Sequence, residues 1–166
     1  MLRFLNKKII INLAIIFSIF ALDRFSKIYI IQANVNGLIN EIKITNFLTL
    51  ELVWNRGVAF GLFSMSDNTF YSSITLLILS IILIIVYLSF ASSGYKRLAY
   101  LMIAGGAIGN AFDRILYKQV PDFIDFHIGQ FHWFIFNIAD IFITLGVVFM
   151  IIIELTGPKN NEKINS

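Results

Sequence analysis

Five aspartates, Asp23, Asp113, Asp122, Asp125 and Asp140, lie within or beside long apolar stretches, in company with Arg24, Lys27, Asn110, Arg114 and Asn137. A charged side chain at mid-bilayer costs on the order of 3 kcal/mol even on the gentler insertion scale, so each such group needs a partner or a chemical task. Asp23 and Lys27 are four apart on one helical face, and Asp113 can pair with an arginine. For these two acids, neutralisation inside a bundle competes evenly with a functional role. Asp140 has no basic residue three or four positions away on its helix. Asp122 follows Pro121, whose ring forces Val120 into an extended conformation and makes Lys118 an undependable partner. Two weakly neutralised carboxyls are left over. If the chain between them folds back they can share a proton, one ionised to activate water and the other protonated to polarise a carbonyl. A lone membrane carboxyl such as Asp140 is expected to hold its proton more tightly than usual. Asp125 is the substitute should Asp122 not reach.

Other chemistries are weaker. His127 and His132 are five apart without a helical zinc-protease pattern, which favours satisfied or interfacial histidines over a metal site. No serine sits in a G-x-S-x-G elbow or beside an evident lysine base. Gly105 and Gly109, four apart in an apolar stretch, read as close helix packing.

The elements that must position these groups follow from composition. Of 166 residues, 58% are hydrophobic and 14% charged, about half the charge of a soluble domain, which makes a soluble fold or a disordered chain a poor reading. Mean hydropathy is +0.80. Without cysteine, disulfide scaffolds, thiolate metal sites and cysteine nucleophiles are out. In such a chain the net charge of +3 reports topology rather than nucleic-acid binding. Four apolar stretches, about 9–31, 70–91, 98–117 and 133–155, are each long enough to cross a ~30 Å hydrocarbon core. The first lacks a small-residue cleavage site after it and reads as an uncleaved span. Four spans put Arg3, Lys7, Lys8, Lys96, Arg97, Lys159 and Lys163 on one side and only Lys43, Arg56 and Lys118 on the other, so both termini are expected in the cytoplasm. The expected fold is an all-α membrane protein of one domain, with residues 156–166 as a solvated tail.

The intramembrane polar groups then meet in the outer half. Asp23 and Lys27 lie near the outer end of the first span, and Asn110, Asp113 and Arg114 near the outer end of the third. Asn137, Asp140 and Thr144 share one face of the fourth, with Asp140 ~10 Å below its start. Polar groups confined to one end argue against a transport path, which needs them along the whole depth. On the outer side, a segment of about 32–69 alternates Leu48, Leu50 and Leu52 with polar neighbours before Asn55-Arg56-Gly57, the pattern of a strand and turn. It is expected to build a small sheet resting on the outer membrane surface, and the loop of about 118–132 to carry Asp122.

Five motifs in order give the chain a resemblance to the lipoprotein signal peptidases, or type II signal peptidases. They are Asp23-Arg24-Phe25-Ser26-Lys27; Asn55-Arg56-Gly57-Val58-Ala59-Phe60-Gly61; Gly105-Gly106-Ala107-Ile108-Gly109-Asn110 with Asp113-Arg114; Val120-Pro121-Asp122-Phe123; and Phe136-Asn137-Ile138-Ala139-Asp140. The resemblance implies a four-span aspartic endopeptidase of the bacterial inner membrane, working as a monomer among membrane lipids, with its site facing the periplasm. It implies Asp122 and Asp140 as catalytic residues and no metal or organic cofactor. Asn110, Arg114 and Asn137 would surround them, with Asp23, Lys27 and Asp113 in support. Asn55 and Gly57 would belong to a small β-sheet cradle with a mobile flap nearby. The implied substrate is a lipoprotein precursor bearing a diacylglyceryl group on its future N-terminal cysteine, cut just before that residue. Pro121, Ile135 and Ile141 depart from the commonest pattern, in which Val or Ile, Pro and Ser are frequent.

Overall fold

The computed structural model describes residues 2–37, 41–57 and 68–157. Val58 to Gly61 of the second motif and the tail from 158 lie outside these residues. Among the described residues, four helices, α1 (Leu2–Val35), α2 (Asn68–Ala91), α3 (Gly94–Tyr117) and α4 (Ile138–Thr156), accompany four strands, β1 (Ile42–Thr45), β2 (Leu48–Asn55), β3 (Val120–Ile128) and β4 (Phe131–Phe136). The strands form one antiparallel sheet in the order β1-β2-β3-β4.

Among the described residues α1, α2 and α4 are long and apolar enough to cross a membrane. Their Leu, Ile and Phe side chains point outward, as on Leu83, Phe17 and Ile151, because the surroundings they suit are hydrocarbon. The third helix is different. At 24 residues it is ~36 Å long, yet its buried face carries Asp113 and Arg114 beside Ala104, Gly105, Gly106 and Gly109. It packs against each of the other helices, so its polar face is turned into the protein.

Small residues make that packing close. A β-carbon at Gly105 would press on Ile19 of α1, and one at Gly109 would lie 2.6 Å from Asp23 Oδ2. One at Gly106 would collide with the Ala139 carbonyl oxygen of α4, a backbone atom that cannot rotate away. The Gly105/Gly109 pair is thus a contact surface for α1, while Gly106 sets the approach of α4.

Two expectations change. The connection between α3 and α4 is a β-hairpin, not a loop, and it pairs with β2 to complete the sheet. The stretch from Trp133 to Phe136 is its second strand, so the last helix begins at Ile138, where Asn137 caps it. A short apolar run has no period of its own, and the cap decides where the helix starts. Asp140 consequently sits in the first turn of α4 rather than ~10 Å along a helix from Trp133.

The sheet is fastened to the helices by Phe123 against Ile30 and Ala33 of α1, with Ile42, Leu50, Leu52, Ile124 and Ile138 packed around them. Burying a side chain such as Phe123 contributes roughly 1.5–3 kcal/mol. At the other end of the bundle Lys8 Nζ donates to the carbonyls of Phe90 (2.9 Å) and Ser92 (3.0 Å), closing the end of α2. Replacing Gly106 by Val is expected to destabilise the protein by about 1–3 kcal/mol through overpacking. Thermal melting in detergent should fall measurably, and an unchanged melt would contradict the close α3–α4 approach.

Candidate active site

The site rests on a buried ionic knot. Lys27 Nζ spends its three protons on Asp23 Oδ2 (2.8 Å), Asp113 Oδ2 (2.7 Å) and Asn110 Oδ1 (2.9 Å), with Lys27, Asp23 and Asp113 all wholly buried. Arg24 pairs with the other oxygen of Asp113 and lies over the Phe112 ring, 5.1 Å from its centroid. The other oxygen of Asp23 accepts the backbone N–H of Ala139 at 3.0 Å. One lysine therefore joins α1 to α3, and one aspartate joins α1 to the first turn of α4. The i,i+4 reading of Asp23 with Lys27 and the pairing of Asp113 with an arginine describe these contacts, and the arginine is Arg24, three residues before Lys27.

Two amides carry the knot outward. Asn110 Nδ2 donates to Asp140 Oδ1 (2.8 Å), while its Oδ1, already bonded to Lys27, also accepts Asn137 Nδ2 (3.1 Å). Asn137 Nδ2 donates in addition to Asp122 Oδ1 at 2.6 Å. The Asn137 side chain accepts the Asp140 N–H (3.1 Å), and Asp140 Oδ2 accepts the Asn137 N–H (3.2 Å), a reciprocal capping box. Asn55, at the end of β2, donates to Asp122 Oδ2 (2.9 Å) and accepts Gly57 N–H (2.7 Å). Asp122 and Asp140 thus hang from one shared residue, Asn137, one on a strand and the other on a helix. The expectation that no local cation neutralises Asp140 agrees with these contacts: among the described residues both its oxygens are hydrogen-bonded by neutral N–H donors.

Both carboxyls line a cavity of about 570 Å³. Asn55, Asn110 and Arg114 share its polar part, and Ile78, Ala107, Ile141, Thr144 and Val148 make an apolar wall. Arg114 Nη2 donates to the Gly57 carbonyl at 2.8 Å, tying α3 to the end of β2. Burial first, and the neighbouring Asp140 carboxyl second, push Asp122 up to about 6, against the donors Asn55 and Asn137, which favour its charged form. Charge balance points the same way. The knot and the acid pair together hold four carboxyls, on Asp23, Asp113, Asp122 and the half-buried Asp140, but three cations, on Lys27, Arg114 and the half-buried Arg24. One proton makes them neutral.

Asp125 is elsewhere. It is buried in the sheet with Oδ2 on His132 Nδ1 at 2.7 Å, and it is not among the groups lining the cavity. His127 Nε2 meets Thr49 Oγ1 at 2.9 Å, and its ring lies 5.1 Å from that of His132. The histidines thus serve the sheet's own hydrogen bonding. Sequence reasoning did not find Arg24 as the partner of Asp113, nor Ile78 and Ala107 as cavity walls. Arg24 had a signal, being a second cation in the same charged run. The wall residues had none, since Ile and Ala in an apolar helix look alike wherever they point. Ile135 and Ile141, two of the departures, both line the cavity as apolar side chains.

Residues 15–156 match the family model described as signal peptidase (SPase) II. The chain belongs to the signal peptidase II family. It is therefore one of the membrane aspartic peptidases, enzymes that hydrolyse peptide bonds. A protein of Pelagibacter ubique called lipoprotein signal peptidase is 48% identical over 159 residues, covering 95% of this chain and 96% of its own. Another with that description, from Anaplasma phagocytophilum, is 37% identical over 90% of this chain and 94% of its own. A solved structure described as a bacterial membrane enzyme superposes with a TM-score of 0.72 at 28% identity, covering 93% of each chain.

Removing the knot's central cation leaves Asp23 and Asp113 buried without it, which typically costs 3–5 kcal/mol. Lys27→Met is expected to lower the melting temperature in detergent sharply and to abolish peptidase activity. A variant that melts with the parent would show that the knot does not hold the bundle.

Proposed function

We propose that the chain removes the signal peptide from diacylglyceryl-modified lipoprotein precursors, cleaving just before the lipidated cysteine, with Asp122 and Asp140 as the catalytic pair. The observation that carries this reading is the joint suspension of both carboxyls from Asn137 at the polar end of an otherwise apolar cavity, in a region one cation short of neutrality.

Water between the carboxyls gives its proton to Asp140 as it attacks the scissile carbonyl. Asp122, carrying the remaining proton of the pair, donates a hydrogen bond to the carbonyl oxygen and supports its developing charge. That proton and the one taken from water are then available for the leaving amide nitrogen. Asn137 and Asn110 hold the two carboxyls in register, and Asn55 fixes the second oxygen of Asp122. Arg114 keeps Gly57 and the end of β2 against the site. Neither metal nor organic cofactor enters this scheme.

In the bilayer, all four helices span. The length of α3 and its burial among the other three support including it despite its polar face. The excess of Lys and Arg near the two termini and the α2–α3 connection supports cytoplasmic termini, which leaves the sheet and the acid pair at the periplasmic face of the inner membrane. The enzyme works as a monomer. A lipid anchor that stays in the leaflet holds the peptide at a fixed height beside the cavity and turns the search for substrate into a two-dimensional one.

Asp122→Asn and Asp140→Asn are each expected to cut cleavage of a diacylglyceryl precursor peptide by roughly 10²–10⁴-fold at unchanged folding, the range of a general acid–base contribution. Asp125→Asn should retain most of the rate. Substantial activity in either of the first two, or its loss only in the third, would move the pair. Because Asp122 is protonated below about 6 and ionised above, kcat/KM should decline as pH rises through that region and the last shared proton leaves. A rate that climbs across the same interval would contradict the assignment.

A further inference from the structure

The sheet ends in an apolar tip that the chemistry above does not use. Register pairs Leu48 with Phe126 and Ile128 with Phe131, so the turn between β1 and β2 and the turn between β3 and β4 project from the same end of the sheet. That end is opposite the Asn55–Val120 pair near the site, ~20 Å from Asp122 along β3. Ile44, Phe47, Ile128, Phe131 and Trp133 are all half or more exposed there, between 50% and 68%. Neither turn, Thr45–Leu48 or Ile128–Phe131, contains a charged residue. The edge strand β4 reads Phe-His-Trp-Phe-Ile-Phe and carries neither Lys nor Pro, two of the residues that blunt edges facing water, although its pairing with β3 shifts register between Phe126 and His127.

The covering medium is indicated by where the sheet is tied. It hangs from the end of α1, the end of α3 and the start of α4, three helix termini at one end of the bundle. On the membrane-spanning reading, that is the end at which the lipid-facing helices leave the hydrocarbon. Trp133 and the two histidines, apolar bodies with polar ends, suit that level.

We infer that this tip, through Phe47, Ile128, Phe131 and Trp133, is a shallow anchor in the outer-leaflet interface. It holds the sheet from its far end while the helices hold it from the near end, fixing the height of Asp122 relative to the leaflet. The inference rests on the membrane-spanning reading above, and its test separates the two. Trp54→Phe leaves Trp133 as the only tryptophan. In reconstituted vesicles its emission should be blue-shifted, resistant to aqueous iodide, and quenched about twofold or more by lipids brominated near the acyl carbonyl, less by lipids brominated near the terminal methyl. Leu83→Trp in a chain with both tryptophans replaced by Phe reports the middle of α2 and should show the reverse order. If Leu83→Trp is not quenched by either lipid, the spanning reading fails. If it is quenched and Trp133 instead responds to iodide, the tip is in water and the anchor is overturned. Blue-shifted Trp133 emission untouched by either brominated lipid means that protein covers the tip, which overturns it equally. Should Trp54→Phe melt early, the difference between parent and Trp133→Phe isolates the same signal.

Discussion

A single ammonium group holds the polar interior together. Lys27 Nζ is wholly buried and sits on acceptors from its own helix and from α3, and one of its partners, Asp23, reaches on to the Ala139 N–H in the first turn of α4. Charges removed from water are tolerated only when each is matched and hydrogen-bonded. This requirement explains why α3 is lined with glycine on two sides: Gly109 lets Asp23 approach, and Gly106 lets the Ala139 backbone approach. The close packing and the ionic knot are one constraint seen from two directions.

From that constraint the geometry of the acid pair follows. Asp23 and Asn137 between them satisfy N–H groups at the start of α4, which pins the first turn and hence Asp140. Asn110, oriented by Lys27, presents its amide hydrogen to the same carboxyl. Asp122 arrives on a strand, yet the strand's partner β4 runs directly into Asn137, so the hairpin ties the two acids covalently as well as through hydrogen bonds. What distinguishes Asp122 and Asp140 from Asp23 and Asp113 is the nature of their partners. The supporting acids face ammonium and guanidinium groups, whereas the other two are hydrogen-bonded by amide and backbone N–H groups, which orient a carboxylate without balancing its charge.

Much of this was legible from residue types and spacing. Asp23 with Lys27 follows from helical geometry, and the pair Asp122 and Asp140 remained after local neutralisation was counted. The alternation of Leu48, Leu50 and Leu52 announced β2. The hairpin was missed because Trp133-Phe134-Ile135-Phe136 is equally apolar on both sides and runs into the helix without a polar break. The capping box was the available signal: Asn137 followed three residues later by Asp140 marks a helix start, which makes the preceding residues non-helical. Long-range partners were a different matter. Arg24 with Asp113 and Asp125 with His132 depend on how helices and strands are set side by side, which spacing along one element cannot report.

The central claim is that the buried region, one cation short, keeps one proton on the Asp122–Asp140 pair. Infrared titration of the carboxyl C=O stretch in the detergent-solubilised enzyme reads this directly. At about pH 5 a single buried protonated carboxyl is expected, disappearing with a midpoint near the value of about 6 set by burial and by the neighbouring acid. The band should be absent from the doubly substituted Asp122→Asn, Asp140→Asn protein. No such band in the parent, or a band that survives the double substitution, would contradict the account.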